Sequence, residues 1–135
     1  MPRVEVVNLS SVPVRRRVLI RAAQAAIRTE KKAPSRVVIA VVPDSRMRQL
    51  HRRAFADRST TDVLAWPPGE IAVCVDTARR ESARRGHALH AELALYVVHG
   101  ILHLAGHDDH ARRPRERMWR RQREILSGLG LDLRN

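Results

Sequence analysis

Apolar residues nearly alternate through residues 4–9 (VEVVNL), and β-branched side chains crowd residues 36–42 (RVVIAVV). Both stretches predict strands, the second buried on both faces or nearly so. Between them, Ser10 and Ser11 ahead of Val12-Pro13-Val14 predict a cap region opening a helix to about Thr29, and residues 31–35 (KKAPS) read as a turn. Pro43-Asp44 ends the second strand and caps a helix from Ser45 to about Ala54. A polar loop at 56–61 (ADRSTT) leads into two short strands, 62–66 (DVLAW) and 70–75 (EIAVCV). These flank the breaker cluster Pro67-Pro68-Gly69, either as sheet neighbours or as consecutive strands with a kinked link. Asp76 predicts the N-cap of a helix to about Arg85, ended by Gly86. Arg112-Arg113-Pro114 opens a last helix, 115–126, which Gly128 closes.

Residues 87–105 (HALHAELALYVVHGILHLA) form a helix that is apolar on nearly every face in its second half, which predicts the buried centre of the molecule. Strands, helices, further strands and then helices give an α+β domain, one small mixed sheet packed against helices. No internal repeat, low-complexity segment or linker divides the chain, so residues 1–135 are expected to form a single domain. No stretch reaches the roughly 18 consecutive apolar residues of a membrane span. The N-terminal MPRVEVVNLS carries Glu5 and Asn8 within its apolar part and lacks a signal-peptide core, and a single cysteine allows no disulfide framework. A cytoplasmic location is therefore expected, with Cys74 a small buried strand residue.

Charge changes the picture. The chain has 26 Lys+Arg against 14 Asp+Glu, a formal charge of +12, and only Lys31 and Lys32 among the basic residues are lysine. Arginine forks onto phosphates and stacks on bases, which suits a polyanion partner, while solvated helix faces are the equal alternative, and charge alone names no function. The clusters Arg52-Arg53, Arg79-Arg80 and Arg84-Arg85 are candidate groove walls. The last helix carries seven Arg against two Glu over residues 112–124, with Met118, Trp119, Ile125 and Leu126 expected to pack its other face.

The chemistry concentrates in the central helix. His99 and His103 are four residues apart, so they project about 40° apart on one face, one turn apart along the axis. Two imidazoles so placed can reach one metal ion; the alternative is a pair of buried histidines each bonded to a carbonyl, and burial in an apolar helix favours a shared partner. Gly106 can end the helix in the left-handed conformation, and His107, Asp108, Asp109 and His110 follow directly, each able to supply a further ligand. Three protein ligands with an open fourth position is the layout of a catalytic zinc site.

His99–Asp109 (HGILHLAGHDD) resembles the HGxLHLxGYDH signature of the YbeY family of metal-dependent endoribonucleases. Residues 61–67 (TDVLAWP) are similar to that family's TDVLSFP segment, and Gly69-Glu70-Ile71 to its GDI strand start. The matches cover about residues 50–118 in order and spacing. The resemblance implies a zincin-like α+β fold and a zinc-dependent (or other divalent-metal) endoribonuclease specific for single-stranded RNA. Its role would lie in ribosomal RNA maturation and ribosome quality control, with RNA and the ribosome as partners, no membrane and no DNA specificity.

Three departures stand out. The family's third ligand is a His ten positions after the first, where this chain has Asp109; carboxylate is an accepted zinc ligand, and His110, one residue later, is the alternative, while His107 sits too near the helix end to turn back. Phe55 occupies the position of a family arginine and Ala54 that of the aromatic before it, so a phosphate-binding role passes to Arg53 or Arg58. Asp57 and Thr60 replace the family's Lys and Pro. Candidate RNA-binding residues are Arg52, Arg53, Arg58, Arg112 and Arg113; Trp66 and Phe55 could stack on bases or serve the core; Asp62 could support the metal helix or cap its strand. A ribosome-assembly RNA-binding factor with a structural metal is the competing reading. A metalloprotease is disfavoured because Gly100 stands where the protease helix carries its general-base Glu.

Overall fold

The computed structural model describes residues 2–55, 61–107, 110–131 and 133. Residues 56–60, Arg58 among them, together with Asp108 and Asp109, lie outside the described residues, as do the side chains of Ala54 and Phe55. The elements run β1 (Arg3–Asn8), α1 (Arg16–Thr29), β2 (Arg36–Val42), α2 (Asp44–Phe55), β3 (Val63–Trp66), β4 (Glu70–Cys74), α3 (Val75–Arg85), α4 (Leu89–Leu104) and α5 (Arg112–Gly128). They form the expected α+β architecture around a four-stranded mixed sheet of order β1-β2-β4-β3. β1, β2 and β4 are parallel, and β3 is an antiparallel edge strand. Parallel neighbours need a crossover, which α1 supplies between β1 and β2. Of the two arrangements open for the strands around Pro67-Pro68-Gly69, the hairpin is the one formed, with Val63 opposite Val73 and Trp66 opposite Glu70.

Strand alternation sorts the core into two layers. Val37, Ile39, Val41, Ile71 and Val73 face Leu19, Ala22 and Ala26 of α1, Leu93, Val97 and Ile101 of α4, and Met118 and Leu126 of α5. Ala72, Cys74 and Val42 face Met47 of α2 on the other side. β2 is thus fully covered on one face and only half covered on the other, where Val38 and Ala40 keep partial exposure. α4 is the buried centre, with every residue from Ala91 to Val98 inside. A Cβ on Gly100 would lie 3.1 Å from two carbons of Ile71, so glycine there lets α4 lie directly on β4, at a helix-propensity cost of about 1 kcal/mol that the contact must offset.

Several boundaries differ from the sequence expectation for local reasons. α1 begins at Arg16 because Ser10 serves a turn instead of a helix: its hydroxyl and backbone N–H both donate to Asn8 Oδ1, and its Oγ accepts from Val12 N–H. Gly128 stays within α5, and the left-handed residue beyond it is Gly130, at φ 72°. Trp119 does not pack the inner face of α5. It is 41% exposed, and the stripe is completed instead by Gln122, which is buried with Met118, Ile125 and Leu126. Position 119 follows Met118 by about 100° around the helix, which turns it off that stripe.

Asp76 is not the cap of its own helix. α3 springs straight from β4 with Cys74 at its N-cap, and Asp76 Oδ2 accepts the backbone N–H of Asp44 at 2.8 Å, capping α2 from a distance. Asp44 in turn takes two Arg80 guanidinium bonds at 2.9 and 3.1 Å and the thiol of buried Cys74 at 3.2 Å. The guanidinium holds the Asp44 carboxyl below its usual range. Because the Asp76 bond satisfies an otherwise orphaned helix donor, Asp76→Ala is expected to cost about 0.5–2 kcal/mol in denaturant unfolding, with Asp76→Asn recovering most of it. An Asp76→Ala loss under a few tenths would assign that donor to water.

Candidate metal centre

α4 runs past the edge strand β3, so the face carrying His99 and His103 opens onto a cleft of about 660 Å³ lined by residues 61–66, Gly100, His51 of α2 and His110. The two imidazole rings stack with centroids 6.5 Å apart and planes 8° from parallel. The pair is not buried, contrary to the expectation from its apolar helix. His103 is exposed and His99 only partly covered, so the rings face the cleft instead of an apolar interior.

Tautomer is fixed by a residue the motif does not contain. Gln122 Oε1 lies 2.7 Å from His99 Nδ1, and a carboxamide oxygen only accepts, so Nδ1 is the donor and Nε2 is the nitrogen left to ligate. A hydrogen-bonded Nδ1–H behind a ligating Nε2 is the arrangement that orients and strengthens imidazole ligands. Two imidazoles side by side in an open cleft suit a borderline ion such as zinc. Among the described residues, no three His, Cys, Asp or Glu side chains gather into a complete site. Asp109, the expected third ligand, lies outside them.

The turn after α4 forms through Gly106, at φ 100°, with its N–H on the His103 carbonyl and the His107 N–H on the Leu102 carbonyl. This is the Schellman pattern of a glycine-ended helix. It directs His107 away from the cleft, to Glu30 Oε1 at 2.6 Å, where Arg121 also approaches Glu30 at 3.5 Å. His110 instead lines the cleft with His99 and His103.

The candidate arginines are more scattered. Arg52, Arg53, Arg112 and Arg113 are exposed on α2 and α5, and none lines the cleft; Arg112 pairs with Glu116 at 3.2 Å, and Arg58 lies outside the described residues. Arg80 and Arg84 are held by Asp44 and Glu81, and Arg85 by Glu81 and Glu92. Those two clusters are thus partly neutralised as groove walls. Trp66 is half-buried, lining the cleft while packing against the α2 layer. The Asp62 carbonyl accepts the Cys74 N–H at 2.9 Å, extending the hairpin, and Asp62 borders the cleft.

Sequence reasoning missed His51, because nothing in its spacing links α2 to α4. It also missed Gln122, which carried a signal: a polar residue on the apolar 118/122/125/126 stripe.

A family model described as Endoribonuclease YbeY matches residues 9–130, nearly the whole chain. The chain belongs to the YbeY family. A relative from Clavibacter sepedonicus named Endoribonuclease YbeY is 33% identical over 150 residues, covering 97% of each protein. One of the same name from Parafrankia sp. is 36% identical over 102 residues, covering 60% of this chain and 64% of that protein. A third, from Myxococcus xanthus, is 31% identical over 106 residues, covering 69% of this chain but 36% of that protein. The chain thus spans less than two thirds of the length of the Parafrankia and Myxococcus relatives. A Thermotoga maritima protein solved in solution shares the fold, with a TM-score of 0.65 at 20% identity, over 94% of this chain and 91% of that one. The histidine pair and the TDVL strand meet at one cleft.

Proposed function

We propose that this chain is a zinc-dependent endoribonuclease that cleaves single-stranded RNA, acting in the cytoplasm on ribosomal RNA during maturation and ribosome quality control. The observation that carries the reading is the pair of stacked imidazoles, with Gln122 setting the His99 tautomer, at an open cleft in a YbeY-family chain. His99, His103 and Asp109 would hold the ion, with His110 the alternative to Asp109. The ion would supply Lewis acidity toward water and toward a scissile phosphate. The protein's own part is to position the RNA: a strand lying between β3 and α4 would have its phosphates drawn by the +12 charge, with Arg52, Arg53, Arg58, Arg112 and Arg113 as candidate contacts. A protease reading is disfavoured by Gly100, which stands in the general-base position and where even a Cβ would lie a tight 3.1 Å from Ile71.

The test is cleavage of a single-stranded RNA beside the same sequence in duplex form, with zinc and with chelator. Chelator-sensitive cutting of the single strand supports the proposal. RNA that is bound but never cut would leave the ribosome-assembly reading in its place. Binding should also weaken steeply with salt, with a log–log slope of about −0.7 per neutralised phosphate. Replacing Arg112, Arg113, Arg115 and Arg117 together by Gln should flatten that slope, and an unchanged slope would place the phosphate track elsewhere.

A further inference from the structure

Beside the cleft lies a second cavity of about 230 Å³, between α3, α4 and α5, which shares Asp62 and His99 with it as common wall. It is smaller than the roughly 300–1,000 Å³ pockets that take whole drug-sized ligands, a size suited to one planar ring. Its lining is unusually polar for an interior. Glu92 is 1% exposed and is held by His87 and, at 3.6 Å, by Arg85. Tyr96 is 3% exposed; burial and the Glu92 carboxylate push its hydroxyl above the usual range. Gln122, 4% exposed, spends its Oε1 on His99, and its amide nitrogen makes no hydrogen bond with any described residue. A buried amide donor with no partner among the described residues is costly unless something else fills the cavity. At the rim stands Trp119, a large exposed indole in a chain with only four aromatic residues, with Arg115 beside it.

We infer that this cavity is a nucleobase subsite, taking one unstacked base of the RNA from a nucleotide next to the scissile phosphate. The inference rests on the RNA-cleaving reading and adds which part of the substrate enters the protein. A base supplies what the cavity lacks. Its flat face stacks on Trp119, as single-stranded RNA does on exposed aromatics, and an acceptor on its edge meets the Gln122 amide, with buried Glu92 and Tyr96 behind. Arg115 at the mouth suits the phosphate that follows the base. Gln122 then connects the two cavities, since one end of its amide reads the base while the other orients His99.

A double-mutant cycle tests this. Short single-stranded RNAs, each abasic at one successive position, are titrated against the native protein, Trp119→Ala and Trp119→Phe. Stacking is worth about 1–3 kcal/mol per base, so Trp119→Ala should weaken the intact RNA about 5- to 150-fold, and Trp119→Phe should restore most of that. For an RNA abasic at one particular position, native protein and Trp119→Ala should bind alike. Equal losses with Trp119→Ala at every abasic position, or none on intact RNA, would overturn the subsite. The cleavage assay keeps this distinct from the parent proposal, because native protein that cuts RNA while the cycle shows no coupling refutes the base pocket alone. Native protein that neither cuts nor binds RNA refutes both.

Discussion

A His103→Ala protein is expected to lose stoichiometric metal and all RNA cleavage above background while melting at nearly the native temperature. His103 is exposed at the cleft, so its removal takes nothing from the core, and surface changes of this kind usually stay within about 0.5 kcal/mol. His99→Ala is the less clean experiment, since it also strips Gln122 of its donor and leaves a buried carboxamide oxygen unsatisfied, at about 1–3 kcal/mol. Metal analysis of the purified variant, a cleavage gel and a thermal melt read the three quantities separately. Full metal retention with native cleavage would remove His103 from the site. Asp109→Ala should share the metal loss and His110→Ala should not; the reverse pattern assigns the third place to His110. If Asp109 is the ligand, its negative charge makes the centre less electrophilic than three neutral imidazoles would, which weakens its pull on a phosphate.

How much of this was legible in the chain depends on the range of the interaction involved. Strand β2 and the helix that became α4 could be read directly, because an unbroken β-branched run and a long apolar helix each carry their burial in their own composition. The histidine pair was legible for a similar reason, as i and i+4 share a face wherever the helix goes. The errors lie where a side chain answers to a distant element. Asp76 looks like the cap of its own helix, yet it serves α2, thirty-two residues back, because α3 leaves the sheet without a turn that would need one. Ser10 looks like a helix cap but closes a turn with Asn8. Trp119 carried the composition of a core residue and the angle of a surface one, and the angle decided. The expectation that His99 and His103 are buried came from averaging over the helix, although the face they occupy is the one that borders the cleft at β3.

Gln122→Leu is expected to lower zinc affinity about 10- to 100-fold, the usual effect of losing the partner behind a ligating imidazole. Leucine fills similar space, so the substitution deletes the acceptor on His99 Nδ1 without opening a large hole beneath Met118 and Leu126. Two consequences follow from the lost bond. The ring is freed to rotate, and the tautomer with the proton on Nε2 becomes populated, which must be reversed before that nitrogen can bind an ion. Gln122→Glu keeps an acceptor at the same place and should retain most of the affinity, whereas a purely structural role for Gln122 would make the charged variant the worse of the two, since it buries a carboxylate where an amide stood. Competition against a metal-sensitive dye, run without RNA so that the neighbouring cavity plays no part, measures the ranking. Equal affinity for native and Gln122→Leu proteins would show that the His99 contact does nothing for metal binding and would assign Gln122 to the base cavity alone.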